Sequence, residues 1–247
     1  MTSFPPDPSG DRDAPTLGSV LEILESAVNY RDWIFSLAAP HLGRRVLEVG
    51  AGSGTMFECV ADRELAIAVE IDKTFAMDLE ERFHTRPNVS IICGNMNDPE
   101  TIDVVRRLRP DSAMTFNVLE HIEDDERALR SIASVLERGD PLCVLVPAFP
   151  SIFGAMDRGV GHVRRYRRRE LVAKMERAGF AVDAAYYVNA IGFLAWFVNG
   201  RILRSSVPAG GARLLAVYDR VVPVLRWLER RWHPPLGQSL FVTGVRR

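Results

Sequence analysis

Early in the chain stands the run Val46-Leu-Glu-Val-Gly-Ala-Gly-Ser-Gly-Thr55, in which a short apolar segment leads into glycines at positions 50, 52 and 54. An apolar run of this length that ends in glycine is typical of a buried strand. Glycine lets the chain turn sharply and brings its backbone close to a ligand. The pattern predicts a strand over 45–49, then a ligand-binding loop that opens a helix whose amides face the ligand.

The spacing of these glycines separates two kinds of nucleotide site. A dinucleotide fingerprint reads G-x-G-x-x-G, whereas here Gly54 comes one residue early. Glu48 stands inside the strand end, where an anionic side chain would repel a pyrophosphate but suits a ligand with positive groups. Glu70 ends the next predicted strand, and an acid at that place can accept hydrogen bonds from both hydroxyls of a ribose.

Downstream, short apolar runs alternate with helical patterns. The predicted strands are 66–70, 89–93, 112–117, 142–146, 180–188 and 239–245, and the predicted helices are 74–84, 99–108, 124–136 and 169–178. Such alternation argues for a parallel sheet that is covered by helices. We therefore predict an α/β, Rossmann-like fold: a seven-stranded, mostly parallel sheet with helices on both faces, N-terminal helices over 17–39, and a helical insertion before the last strand.

Composition limits the organisation and the partners of the chain. Residues 1–15 are rich in Pro, Asp and Ser and are predicted to form a disordered tail. Residues 16–247 are predicted to form one domain, with 189–238 as a helical cap. A net charge of −1 gives no general attraction to nucleic acid. Unpaired cysteines and the lack of a leader or an apolar run of membrane length predict a cytoplasmic protein.

Four successive motifs resemble those of class I S-adenosylmethionine-dependent methyltransferases. They are Glu48–Gly54, Glu70, Gly94-Asn-Met96 and Asn117-Val-Leu-Glu-His-Ile122. The resemblance covers about Asn29–Phe180 in order and spacing. It implies methyl transfer, with S-adenosylmethionine as the cofactor.

The resemblance also implies a role for each motif. The segment with Glu48, Gly50, Gly52 and Gly54 would cradle the methionine part of the cofactor, with Asn117 beside it. Glu70 would hold the ribose. Asn95 stands where the family often has Asp, and its amide oxygen can bind the adenine amino group without a charge. Met96 would pack on the adenine ring.

Further motifs resemble a bacterial branch of the family that is associated with glycosyl transfer and secondary metabolism. They are Val146-Pro-Ala-Phe-Pro150, Asp157-x4-His162-x2-Arg165-Tyr166 and Gly237-Gln-Ser-Leu-Phe241. We predict a small-molecule acceptor, with O-methylation of a hydroxyl on a sugar or secondary metabolite. The alternative is C-methylation next to a carbonyl of a small keto acid or similar metabolite. Two other classes are weighed against these, a nicotinamide-dependent oxidoreductase and a non-catalytic cofactor-binding protein.

An acceptor hydroxyl must lose a proton, and two histidines follow strands at the expected ligand edge. His162 follows the fifth strand and His121 the fourth, so both are candidate catalytic residues. Asp157, Arg165 and Tyr166 are predicted to bind the acceptor. The basic run 164–169 is either a solvated loop or a clamp for an acceptor anion; nucleic acid is not predicted, since few aromatic residues accompany the run.

Two further features, the motif over 117–121 and the insertion, each allow more than one interpretation. Asn117-x-x-Glu120-His121 resembles the E-x-x-E-H set that ligates a divalent ion in some methyltransferases, but Asn replaces the first carboxylate. Adjacent residues do not face one way on a helix, so no metal is predicted. The insertion mixes apolar and basic positions, which suits a cap on the domain, a homodimer contact, or peripheral membrane contact through 189–232.

Overall fold

The computed structural model describes residues 27–197 and 211–247. The predicted tail over 1–15 and the start of the predicted N-terminal helical stretch lie outside these residues.

A seven-stranded sheet forms the centre of the described part of the chain. Its strands are β1 (Arg45–Val49), β2 (Leu65–Glu70), β3 (Val89–Cys93), β4 (Ser112–Phe116), β5 (Pro141–Pro147), β6 (Phe180–Val188) and β7 (Ser239–Arg246). Their order is β3-β2-β1-β4-β5-β7-β6. The pairings among β1–β5 are parallel, and β7 runs antiparallel to β5 and β6. The predicted seven-stranded, mostly parallel sheet is confirmed.

Helices cover both faces of this sheet. They are α1 (Val28–Ala38), α2 (Lys73–Phe83), α3 (Pro99–Leu108), α4 (Asp125–Val135), α5 (Ala155–Gly159), α6 (Arg168–Arg177), α7 (Ala190–Phe197) and α8 (Gly211–Arg231). Side chains of a strand alternate between faces. Leu47 and Val49 accordingly join the core under α4 and α6, whereas Val46 joins the core under α1 and α2.

One local prediction is wrong: the glycine loop does not open an α-helix. It leads into a single turn of 3-10 helix at Phe57–Val60, and β2 begins at Leu65. Few residues are available between the loop and β2. One tight turn is enough to bury Phe57 and Val60 completely, and the chain then returns to the sheet.

Two acidic side chains of α8 bind backbone amides at the starts of other helices. Asp219 in α8 accepts hydrogen bonds from the backbone amides of Asn29 and Tyr30 at the beginning of α1. Glu229 accepts from the amides of Asn189 and Ala190 at the beginning of α7. Amides of a first helical turn lack partners within the helix, and carboxylates satisfy them well. The bonds of Asp219 to α1 favour the interpretation of the insertion as a cap on the domain, whereas those of Glu229 join α8 to α7 within the insertion. In the described ranges, no helix has the length and apolar character that would carry it across a bilayer.

Candidate functional site

The glycine loop adopts a backbone that other residues rarely tolerate. The φ angles of Gly50, Gly52 and Gly54 are 76°, 53° and 82°, in the left-handed region. A Cβ atom added to Gly50 would clash with the side chain of Val118. The loop therefore packs directly against the segment that follows β4.

Glu70 holds this loop from the neighbouring strand. Its Oε2 accepts a hydrogen bond from the Gly52 amide at 2.7 Å, and its Oε1 accepts from the Asp72 amide at 2.8 Å. Each carboxylate oxygen has a second lone pair, so the side chain can also accept bonds from ribose hydroxyls. The sequence predicted a ligand-binding acid here but not its role in shaping the loop.

Glu48 is buried with an unsatisfied oxygen. Its side chain lies at the end of β1, and Oε2 has no hydrogen-bond partner among the residues described. Burial, together with the charge on Glu70, raises the pKa of Glu48 well above its ordinary value. A buried carboxylate without a partner is costly, and a positively charged ligand group would offset that cost. The ammonium and sulfonium of S-adenosylmethionine supply such charge, so the residues present fit the implied cofactor.

The remaining predicted cofactor residues lie at the carboxyl edge of the same sheet. Asn95 follows β3, and its Oδ1 accepts a bond from the Asn97 amide at 2.9 Å. Met96 is buried and belongs to the apolar core, so its contact with adenine stays a prediction. Asn117 follows β4 with a left-handed φ of 54° and is exposed, beside the loop that Val118 contacts.

Beyond Asn117, the chain buries a second carboxylate. Leu119–His121 forms one turn of 3-10 helix, and Glu120 is completely buried. Neither carboxylate oxygen of Glu120 has a hydrogen-bond partner within the described ranges. Burial raises the pKa of Glu120 to about 8, against the opposing effect of the Arg165 charge.

Both predicted catalytic histidines lie beside Glu120. The rings of His121 and His162 meet edge to face, with centroids 4.8 Å apart. Nε2 of His162 is 3.7 Å from Oε1 of Glu120. Nδ1 of His121 lies 3.2 Å from the Gly161 carbonyl oxygen, which can only accept, so that nitrogen carries the proton. Burial and the neighbouring His162 lower the pKa of His121 to about 4.

Asp157 organises the other side of this cluster. Its Oδ1 accepts bonds from Nδ1 of His162 at 3.0 Å and from Nε of Arg165 at 2.7 Å, and its Oδ2 accepts from the Gly154 amide. Burial raises the pKa of Asp157, but the His162 bond and the Arg165 charge outweigh burial and hold this pKa below its ordinary value. Asp157 is therefore an ionised, buried carboxylate that orients His162.

No metal was predicted, because adjacent residues on a helix do not face one way, but the structure brings possible ligand atoms of Glu120, His121 and His162 together. Glu120 and His121 lie on a 3-10 turn, and His162 arrives from the loop after α5. One ligand atom from each of Glu120, His121 and His162 lies within 4.8 Å of the others. These three residues could hold a divalent ion.

Tyr166 is held inside the protein by hydrogen bonds. The side chain is completely buried, and its hydroxyl donates to the Leu119 carbonyl at 3.0 Å and contacts Oδ2 of Asp125 at 2.7 Å. Lys174 binds the same Asp125 oxygen at 2.6 Å. This network fixes the loop to the turn after β4, and the predicted contact of Tyr166 with the acceptor stays a prediction.

An aromatic group next to Arg165 was missed by sequence reasoning. Phe149 contacts Tyr187 and Phe193, with ring centroids 4.5 and 5.2 Å apart. The Arg165 guanidinium lies 4.7 Å from the ring centre of Trp196. Nη1 of Arg165 donates to the Ala148 carbonyl, whereas Nη2 has no partner among the described residues. The sequence showed only an apolar insertion, and these rings meet through tertiary contacts of β5, β6 and α7.

The rest of the basic run forms a mostly exposed loop and the start of α6. Arg164 donates to the Glu123 carbonyl at 2.8 Å and pairs with Asp125 at 3.3 Å. Arg167, Arg168 and Arg169 are exposed. Within 164–169, Arg165 alone is the arginine whose guanidinium is buried beside the histidine cluster.

Comparison with known proteins identifies the family of this chain. A family profile described as a methyltransferase domain matches residues 26–185. A probable S-adenosylmethionine-dependent methyltransferase of Mycobacterium tuberculosis is 30% identical over 158 residues, which are 62% of this chain and 54% of that protein. The ribosomal RNA small subunit methyltransferase A of Acidobacterium capsulatum is 31% identical over 136 residues, or 50% and 46% of the two chains. The chain thus spans about half the length of these relatives.

A solved structure with a different activity has the same fold. The crystal structure of the [4+2]-cyclase SpnF superposes with a TM-score of 0.59 and covers 94% of this chain and 97% of that one, at 17% identity. A likeness at this identity concerns the fold alone, because unrelated chemistries share one fold. The side chains of the site have to decide the reaction.

Proposed function

Because the chain belongs to the methyltransferase-domain family, we propose that it transfers a methyl group from S-adenosylmethionine to a hydroxyl of a small molecule, such as a sugar or secondary metabolite. Family membership confirms the predicted family and its cofactor. The observation that carries the proposed acceptor is the buried cluster of Glu120, His121 and His162 beside the glycine loop.

In this proposal the first half of the chain holds the cofactor, which supplies an electrophilic methyl carbon when bound. Glu48 faces the positive groups of the methionine part, the glycines at 50, 52 and 54 approach it by backbone, and Glu70 accepts from the ribose. Asn95 and Met96 contact the adenine, and Asn117 lies next to the methionine part. The protein contributes alignment and a dry site.

His162 promotes the loss of the acceptor proton. Asp157 fixes its Nδ1, as an orienting carboxylate does for a catalytic histidine, and this leaves Nε2 on the side of Glu120. His121 is a weaker base, because its lowered pKa of about 4 keeps it neutral and poorly basic. A hydroxyl is the acceptor that such groups suit. Methylation of a carbon next to a carbonyl is the competing outcome.

Arg165 and the aromatic group define where the acceptor binds. The unpartnered Nη2 of Arg165 can bind an oxygen or an anionic group on the acceptor. Phe149, Tyr187, Phe193 and Trp196 supply apolar surface near it. A few polar groups set in an aromatic lining are typical of small-molecule sites, and this supports a small acceptor over RNA.

The proposal is tested by methyl transfer with a labelled methyl group. Purified protein is incubated with [methyl-¹³C]S-adenosylmethionine and separate panels of sugars, phenols, 2-keto acids and ribosomal RNA, and products are identified by NMR. We expect a new methoxy carbon on a small molecule. A methyl group on carbon would replace the proposed acceptor by the alternative, and label that enters RNA alone would overturn the small-molecule acceptor.

We also propose that the outer face of α8 contacts a membrane surface. Val217, Val221, Val224 and Leu228 recur at helical spacing, and they and Trp227 and Trp232 are exposed. Arg220, Arg230 and Arg231 are exposed near this stripe, as in interfacial helices. Sedimentation with phosphatidylglycerol vesicles should capture the protein, and Val221→Asp with Val224→Asp should release it. A dimer without vesicle binding would favour the homodimer instead.

A further inference from the structure

The cluster after β4 contains a carboxylate that the protein leaves unsatisfied. Both oxygens of Glu120 lack a hydrogen-bond partner among the described residues, and the side chain is completely buried. Buried carboxylates are normally paired, hydrogen-bonded or bound to a metal. Within the described chain the nearby cation, Arg165, uses its Nε on Asp157 and its Nη1 on Ala148.

Two imidazoles next to Glu120 present the nitrogen that a metal requires. Nδ1 of His121 donates to the Gly161 carbonyl, and Nδ1 of His162 donates to Asp157. In a neutral imidazole the other nitrogen, Nε2, then has a free lone pair. Metal-bound histidines commonly donate their second N–H to a backbone carbonyl or to a carboxylate in this way. Both histidines therefore have the hydrogen bonds that orient metal ligands.

We propose that Glu120, His121 and His162 bind one divalent transition-metal ion, with Asp157 as the residue that positions His162. One ligand atom from each of the three lies within 4.8 Å of the others, and Nε2 of His162 is 3.7 Å from Oε1 of Glu120. Ligands at about 2.0–2.2 Å from a tetrahedral ion are separated by about 3.4 Å. Binding of an ion would require side-chain movements that shorten these separations by up to about 1.4 Å.

The ligand set selects a class of ion. Two imidazoles and one carboxylate suit zinc, cobalt, iron or manganese, whereas magnesium and calcium prefer oxygen ligands. Three protein ligands leave at least one position of the ion free. Such open sites occur where a metal acts on a bound water or substrate.

Charge balance indicates what would occupy the free position. Glu120 and Asp157 contribute two negative charges, Arg165 one positive charge and the ion two, so the occupied site keeps one positive charge. A deprotonated hydroxyl neutralises it, and a bound metal lowers the pKa of such a hydroxyl. This use of the ion rests on the proposed function. His162 then promotes proton loss as a ligand of the ion rather than as a free base.

The metal site is tested without cofactor or acceptor. Protein treated with EDTA and then exchanged into chelator-free buffer is titrated with Co²⁺, followed by visible absorption and calorimetry. We expect one Co²⁺ per chain with d–d bands, displacement by Zn²⁺, and no displacement by millimolar Mg²⁺. Glu120→Gln, His121→Asn and His162→Asn should each weaken binding at least about 100-fold. Asp157→Asn should weaken it about 10- to 100-fold, the usual effect of losing such an orienting partner.

His84→Asn is the matched control, since His84 is an exposed histidine at the end of α2 and should leave binding unchanged. Glu120→Gln is expected to fold, because it replaces a buried carboxyl by an amide of nearly the same size and shape, and its melting temperature in EDTA checks this. Binding that all three ligand variants leave intact, or no binding at one ion per chain, overturns the site. Methyl transfer at full rate in EDTA-treated protein would remove the ion from the reaction and leave the proposed function standing.

Discussion

The glycine-loop region and the region over 117–166 each bury a carboxylate, but they are built in different ways. Each buries a carboxylate with an oxygen that has no partner among the described residues, Glu48 in the first and Glu120 in the second. The first region is nearly continuous in sequence and uses backbone amides. The second is assembled from the turn after β4 and the loop after α5, and uses side chains. In the proposed function, the first region binds the cofactor and the second acts on the acceptor.

His162→Ala is expected to give the largest effect and to distinguish the roles of the two regions most clearly. Turnover should fall by about 10²–10⁴, the usual contribution of a group that assists proton transfer, and the affinity for S-adenosylmethionine should stay near wild type. Steady-state kinetics and calorimetry measure both, with His84→Ala as the control. A raised KM with kcat restored at saturation would mean that His162 only binds the acceptor. His121→Ala, measured in parallel, should have the smaller effect.

The reverse pattern is expected from Gly52→Val. Valine is strained at the left-handed φ of 53°, at about 1–3 kcal/mol, and its side chain occupies space intended for the ligand. Cofactor affinity should fall about 100-fold or more. Gly139→Val is the matched control, since Gly139 has a φ of 95° with open space around it and lies on an exposed loop after α4. Gly139→Val should lose stability but keep its affinity for the cofactor. Equal affinity in both variants would remove the glycine loop from the site.

Glu70→Ala should have a smaller effect on the same region. Loss of a charged acceptor costs about 1.5–3 kcal/mol, or about 10- to 150-fold in Kd. The structure adds a loss of stability that the sequence did not predict, because Glu70 also binds two backbone amides. Asp72→Ala is the control. It removes the cap of α2 and should lower stability by about 1 kcal/mol without weakening cofactor binding. Calorimetric affinity equal to wild type in Glu70→Ala would refute the ribose assignment.

The smallest expected effect concerns pH and Glu48. The pKa of Glu48 is raised in the folded chain, so above its ordinary value of about 4.5 the unfolded chain releases a proton that the folded chain retains. Wild-type stability therefore falls as pH rises through this window, by about 1.4 kcal/mol per unit of pKa difference. Glu48→Gln should be the more stable protein at pH 7 and equal to wild type near pH 4, measured by urea denaturation without cofactor.

The same Glu48→Gln variant should bind S-adenosylmethionine more weakly, because the positive groups lose their partner. Glu58→Gln, at an exposed position, is the control and should change neither property. If the difference in stability between Glu48→Gln and wild type stayed the same from pH 4 to pH 8, burial of the Glu48 carboxyl would not destabilise the folded chain as its raised pKa indicates. The paired variant Glu120→Gln extends the comparison to the second region.

Much of the architecture followed from local sequence. The strands at 45–49, 89–93 and 180–188 and the helix at 99–108 were predicted with the bounds that the structure has, since apolar periodicity and flanking glycines fix them locally. The glycine-loop region was predictable for the same reason: its glycines and Glu48 are adjacent in sequence, and Glu70 ends the neighbouring strand. Few tertiary contacts are needed to bring them together.

Tertiary structure alone decided the second region. Glu120 and His162 are far apart in sequence, and their meeting depends on the hydrogen bond between the Val163 amide and the Glu120 carbonyl. The same docking buries Tyr166 against Asp125 and turns Arg165 toward Trp196, which no local pattern indicates. Sequence by itself determined the fold, the family and the position of the glycine loop. Packing decided which side chains are buried, paired or left without a partner, because burial and partner distances are properties of the folded chain.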